Sequence, residues 1–168
     1  GIMLLILRPL KVGDYIDAGG TAGTVDEIGL FTTDMTTYDG VYLSVPNSAL
    51  WNTSILNYSR LPTRRMDVPV GIAYEDDVEA AIDLLLGHLR SDERVLATPA
   101  PQVMVTGLGA SSVDLNLRCW SARENFWALK FDLNKNTKLW LDTAGISIPF
   151  PQRDVHLISS SAENKSTG

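Results

Sequence analysis

Met66-Asp67-Val68-Pro69-Val70-Gly71-Ile72 is followed, past a short acidic stretch, by Val78-Glu79-Ala80-Ala81-Ile82-Asp83-Leu84-Leu85-Leu86-Gly87-His88-Leu89. In the first run Met66, Val68, Val70 and Ile72 alternate with Asp67, Pro69 and Gly71, the period-two signature of a half-buried strand. Pro69 has no N–H to give a ladder, so this strand is expected at a sheet edge or with a bulge. In the second run Val78, Ala81, Ile82, Leu85, Leu86 and Leu89 recur at helical spacing and form one apolar stripe. Downstream, Gln102–Leu108 and Val113–Trp120 are predicted strands. In the latter Val113, Leu115, Leu117 and Cys119 face one way, and Asp114, Asn116 and Arg118 the other. Glu124–Ala144 is a predicted second helix with Gly145 as its C-cap. Strand, helix, strand, strand, helix is the order of a split βαββα, ferredoxin-like unit: an antiparallel sheet with both helices on one face.

Upstream the grammar is different. Asp14–Asp17, Gly23–Ile28, Phe31–Thr37, Val41–Val45 and Ser54–Tyr58 are short strand patterns separated by Gly19-Gly20, Asp39-Gly40 and Pro46-Asn47. Asp39-Gly40 predicts a two-residue type I′ hairpin turn, which needs positive φ at both central residues. Five short strands without a long helix predict a small closed or half-closed β barrel. Arg60–Arg64, punctuated by Pro62, is the expected linker between the two grammars. The fold class is α+β.

At the start of the chain, Ile2–Leu7 is unbroken and apolar, with Arg8, Pro9 and Lys11 directly after it. Six helical residues rise about 9 Å against a bilayer core of about 30 Å, so this run cannot cross a membrane. Charges that follow the apolar run exclude a signal peptide. Two readings stand: a buried piece of a globular core, or the tail of a transmembrane helix with Arg8 and Lys11 on its cytoplasmic side. At the other end, Ile146–Leu157 is broken early by Pro149 and Pro151, and Val155–Ile158 is a short strand pattern standing alone. Such a strand must join a sheet in its own chain or pair with copies of itself. Residues 159–168 are expected to be a disordered tail.

The overall balance narrows the classes of function. Of 168 residues 45% are hydrophobic, an ordinary folded composition, and the net charge is −6. Such a charge gives no general attraction for nucleic acid. A single cysteine, Cys119, excludes an internal disulfide and a multi-thiolate metal site. Gly107-x-Gly109-x-x-Ser112 joins two predicted strands and opens no helix, so it is a hairpin turn and not a dinucleotide site. Gly19-Gly20-x-x-Gly23 lacks a phosphate-binding lysine. His88 and His156 have no neighbouring ligand cluster, and Cys119 on an apolar strand face is a poor nucleophile. No enzyme, cofactor or metal site is therefore expected. Glu75, Asp76, Asp77 and Glu79 crowd the first helix start, either to complement its dipole or as a negative rim that biases passing ions. On the second helix Phe126, Leu129, Leu133 and Trp140 share a face while Trp127 and Phe131 share another, as in a deep core or a subunit contact. Trp51, in an expected loop, adds an interface candidate.

Seven segments in order carry a family likeness. They are Arg8–Ile16 (RPLKVGDYI), Ala22–Thr33 (AGTVDEIGLFTT), Val45–Leu50 (VPNSAL), Asn57–Arg60 (NYSR), Ala73–Asp77 (AYEDD), Leu108–Val113 (LGASSV) and Ala144–Val155 (AGISIPFPQRDV). Over residues 1 to about 158 the chain resembles the C-terminal cytoplasmic region of small-conductance mechanosensitive channels. The resemblance implies residues 1–10 as the end of the pore-proximal helix, 11–60 as an Sm-like β domain and 61–150 as the ferredoxin-like α/β domain. It also implies 151–158 as a strand of an intersubunit parallel barrel. It further implies a homo-heptameric cage through which ions and small osmolytes reach a tension-gated pore during hypo-osmotic shock. The cage would lie on the cytoplasmic side of the bacterial inner membrane. Arg8, Pro9 and Lys11 would lie at the inner-leaflet lipid, and Glu75, Asp76 and Asp77 near the cage's side openings. Gln152, Arg153, Asp154, Val155, His156 and Leu157 would build the barrel. Alternation separates Gln152, Asp154 and His156 from Arg153, Val155 and Leu157 without saying which set faces the lumen. The family's Gly- and Ala-rich pore-lining helix would precede Ile2, so this chain is expected not to conduct alone.

The alternative is an Sm-like oligomeric RNA module in which Phe31, Tyr38 and Tyr42 stack bases. Residues 1–62 weigh against it, because Arg8, Lys11 and Arg60 face six carboxylates.

Overall fold

A computed structural model describes residues 9–158. The apolar run Ile2–Leu7, Arg8 and the tail 159–168 lie outside the described residues. The chain divides into two units, one comprising the residues up to Arg65 with Trp120–Trp127, the other Met66–Cys119 with the residues from Ala128 onward.

The first unit is built on β1 (Tyr15–Ala18), β2 (Thr21–Ile28), β3 (Thr32–Thr36), β4 (Tyr42–Pro46) and β5 (Ile55–Asn57), with one helical turn, α1 (Asn47–Trp51), between the last two. The strands form one antiparallel sheet in the order β4-β3-β2-β1-β5. Leu10, Ile16, Ala18, Val25, Met35, Val45 and Leu50 make its core. The β1–β2 connection is the tight one. Ala18 pairs with Thr21, and Gly19 and Gly20 take φ of 62° and 93°, the pair of positive values that a type I′ turn requires. A Cβ on Gly19 would also come within 2.8 Å of Thr53 Oγ1.

The expected type I′ turn at Asp39-Gly40 is not formed. The Gly40 N–H donates to Thr37 O at 2.9 Å, so the turn's central residues are Tyr38 and Asp39, and Gly40, at φ 85°, follows them. Thr37 is the reason: its Oγ1 accepts from the Val41 N–H and donates to Asp39 Oδ1, which stabilises the longer loop. Trp51 likewise ends α1 instead of lying in a loop. Asn47 fixes that turn from inside. Its amide group accepts from Thr33 Oγ1 at 2.7 Å and donates to Gly29 O at 2.8 Å.

Most of β6 (Thr63–Ile72), β8 (Val113–Ala122) and α3 (Phe126–Thr143), and all of α2 (Val78–Ser91) and β7 (Gln102–Leu108), belong to the second unit; the 3-10 turn at Arg123–Asn125 that enters α3 belongs to the first. β6 starts inside the expected linker at Thr63. The sheet order is β6-β8-β7, so the two strands joined by α2 are separated by the third. β6 is an edge strand, which accommodates Pro69. The hairpin β7–β8 turns at Gly109, whose N–H donates to Ser112 O at 2.7 Å. Val113, Leu115, Leu117 and Cys119 are buried on one face of β8, with Met66, Val68 and Ile72 from β6. Ala81, Leu85 and Leu89 of α2 and Leu129, Leu133 and Leu141 of α3 bury the helical stripes that cover such a face. α3 closes with paired bonds from Gly145 N–H to Asp142 O and from Ile146 N–H to Leu141 O. With Gly145 at φ 73°, that is a Schellman cap. Cys119 is fully buried, and burial pushes its thiol up to about 11, which keeps it protonated and inert.

Candidate functional surfaces

The N-terminal junction is a polar clamp on a buried anchor. Leu10 is 1% exposed in the core of the first unit, while Lys11 and Val12, the first two residues of the turn that follows, are exposed. Asp14 is buried, and its Oδ2 accepts from the Lys11 N–H at 3.1 Å and from Asn57 Nδ2 at 2.7 Å. The same Asn57 amide donates to Pro9 O at 3.2 Å, so the last strand of the sheet holds both sides of the entering chain. Ser59 extends the clamp, its Oγ accepting from the Tyr15 N–H. Lys11 and Pro9 are therefore set at one end of a rigid β unit. Asp14 and Asn57, which do the holding, were not singled out from the sequence. A short acidic loop residue and a polar strand end carry no periodic signal.

The linker region adds an aromatic cage around Arg64. Its guanidinium carbon lies 3.7 Å from the Phe126 ring centroid and 4.9 Å from that of Tyr58. Arg123 reinforces the same region, its guanidinium donating to Ser59 O and its backbone N–H to Pro62 O.

At the acidic helix start the three carboxylates have separate surroundings. Asp77 is the N-cap of α2 and accepts from the Ala80 N–H at 3.0 Å. Asp76 accepts from the Ser147 N–H at 2.7 Å. Glu75 is exposed. At the far end of α2, Arg94 donates to Asp92 and to Asp132 of α3, 2.8 Å from each.

The C-terminal segment leaves the second unit in the open. Residues 152–158 are exposed, Leu157 and Ile158 each to 93%, and residues 147–158 take no strand pairing among the described residues. Gln152 is tied back by its N–H to Ser111 Oγ at 3.0 Å. His156 is exposed within this segment, whereas His88 stacks flat on Trp140 with ring centroids 4.1 Å apart. On α3, Phe126, Leu129 and Leu133 are buried, whereas Trp127 and Phe131 are exposed, as two-sided patterning implies.

Two family profiles match: one described as mechanosensitive ion channel, beta-domain, over residues 1–60, the other as mechanosensitive ion channel MscS, C-terminal, over residues 66–148. The chain belongs to the MscS mechanosensitive channel family. A small-conductance mechanosensitive channel of Edwardsiella ictaluri is 38% identical over 157 residues, spanning 94% of this chain and 55% of that protein. An uncharacterized MscS family protein of Archaeoglobus fulgidus is 37% identical over 155 residues, spanning 92% of this chain and 55% of its own length. Among solved structures, Helicobacter pylori MscS in its closed state superposes with a TM-score of 0.89 at 28% identity, over 95% of this chain and 63% of that one. The chain thus spans about half the length of the curated MscS relatives it matches. Among the described residues no helix is long and apolar enough to cross a membrane. The Sm-like RNA reading finds no support in these matches, and Asp39 directly follows its stacking candidate Tyr38 in the sequence.

Proposed function

We propose that this chain is the cytoplasmic cage of a tension-gated small-conductance channel in the bacterial inner membrane. It assembles as a homo-heptamer and filters ions and small osmolytes on their way to the pore during hypo-osmotic shock. Its work is steric and electrostatic, and no bond is made or broken. The observation that carries this reading is the C-terminal segment. Val155, Leu157 and Ile158 are apolar, strand-forming and exposed, and they pair with neither sheet of their own chain among the described residues. A lone strand with two free edges is not stable in water, so sister copies are its natural partners. Gln152, Arg153, Asp154, Val155, His156 and Leu157 then form a parallel intersubunit barrel, one strand per protomer.

The remaining assignments follow from the same assembly. The strand order of the first unit supports an Sm-like β domain, and the split order β6-β8-β7 supports a ferredoxin-like α/β domain. Arg8, Pro9 and Lys11 face inner-leaflet lipid, where cationic side chains are favoured. Glu75, Asp76 and Asp77 lie near the side openings and give passing cations a favourable potential. Deleting Gln152–Gly168 tests the barrel. The truncated chain should lose its oligomeric mass in light scattering while keeping its circular dichroism. An unchanged oligomer after deletion would refute the barrel.

A further inference from the structure

Between the Schellman cap of α3 and the exposed C-terminal segment, the chain is tied down at three points. The Ala73 N–H donates to Ser147 O at 2.9 Å, the Ser147 N–H donates to Asp76 Oδ2 at 2.7 Å, and the Gln152 N–H donates to Ser111 Oγ at 3.0 Å. The two loops that supply these ties are themselves joined, because the Tyr74 hydroxyl donates to Gly109 O. Asp76 is further set in place by its own N–H, which donates to Ala73 O. Beyond Gln152 the described chain is exposed and without strand pairing. The boundary between fixed and unfixed chain therefore falls at Gln152, the first of the residues assigned above to the barrel.

Asp76 differs from its acidic neighbours. A carboxylate that serves only the helix dipole needs no partner, and Asp77 already caps α2. Asp76 instead spends an acceptor on a backbone N–H 71 positions away. We propose that Asp76 is a positioning residue, the charged member of a latch that fixes residues 147–152 to the second unit. The latch gives the exposed strand a defined root and direction before it meets its partners. Ordering the root within the protomer removes part of the entropy that assembly would otherwise have to overcome. The latch goes beyond the cage reading, and only its effect on assembly rests on it.

Amide hydrogen exchange on the 168-residue chain tests the latch directly. Asp76→Ala should speed exchange at Ser147 about tenfold, the loss of one hydrogen bond to a charged group, while Asp76→Asn, which keeps a neutral acceptor oxygen, should fall between that variant and wild type. Asp77→Ala and Glu75→Ala should leave Ser147 unchanged relative to core amides such as Leu85. Ser111→Ala, which does not touch the helix start, should speed exchange at Gln152. On dilution, the Asp76→Ala oligomer should dissociate at higher concentration than wild type. Wild-type exchange at Ser147 in Asp76→Ala would overturn the latch. So would wild-type dissociation of that variant from an oligomeric wild type. If the wild type is itself a monomer, the cage reading fails and exchange at Ser147 alone decides the latch.

Discussion

Asp14 sits in a four-residue turn, yet its Oδ2 is shared between the Lys11 N–H and the Asn57 side-chain amide, and Asn57 in turn reaches Pro9 O. A buried carboxylate with two donors is stabilising only while both are kept, since a donor left buried without a partner bears the full cost of its desolvation. Asp14→Ala takes the acceptor from the Lys11 N–H and from one Asn57 N–H, leaving only the Asn57 bond to Pro9 O to hold the turn. It should destabilise the chain by about 1.5–3 kcal/mol, read from the urea midpoint at constant slope. Asp14→Asn retains one acceptor oxygen and should lose less. Equal midpoints for wild type and Asp14→Ala would show that the clamp contributes nothing. Leu10, by contrast, needs no partner: its place in the core fixes the depth at which the chain enters the β unit. Together an apolar anchor and a polar clamp hold Pro9–Lys11 against the sheet.

At the scale of elements, α2 and α3 are tied by charge as well as by their buried stripes. Arg94 bridges Asp92, just past the end of α2, and Asp132 on α3. The Arg94 side chain holds the Asp92 carboxyl below its ordinary value of 3.8, chiefly through their hydrogen bond. A depressed carboxylate contributes stability that is fully present above its unfolded value and is lost as pH falls through the lower folded value. Stability should therefore be flat in this respect near neutrality and decline below about pH 4. Arg94→Met removes the largest cause of the depression and keeps only the backbone N–H of residue 94 on Asp92, so the wild-type advantage over this variant should shrink as the solution is acidified below that point. An advantage that stays constant from pH 7 to pH 3 would assign it to packing of the Arg94 stem instead of its charge. These elements were largely legible in advance because their patterns are periodic. The α2 stripe, the alternation of β8, the choice of edge or bulge that Pro69 imposes and the Gly145 cap each follow from a local rule. What was not legible is what depends on particular side-chain partners. Thr37 reshapes the Asp39-Gly40 turn, Asn47 fixes the α1 turn, and Asp76 reaches Ser147 across 71 positions. None of these leaves a spacing in the sequence. The clustering of carboxylates at the α2 start was visible, but not that its members have different tasks.

For the whole molecule, a net charge of −6 and exposed apolar residues in the C-terminal segment pull in opposite directions. Charge keeps copies apart in general, while unpaired strand edges bring them together at one place. Closed rotational symmetry satisfies both, since it uses the edges and leaves the charged surfaces facing water or an aqueous chamber. The MscS family membership makes a ring of this kind the expected arrangement, and the latch at Asp76 gives every protomer the same starting point for its strand. Light scattering of the intact chain tests this most directly. The account predicts a single species of about seven times the 18.4 kDa protomer mass. A stable monomer at concentrations well above those of the cell would contradict it.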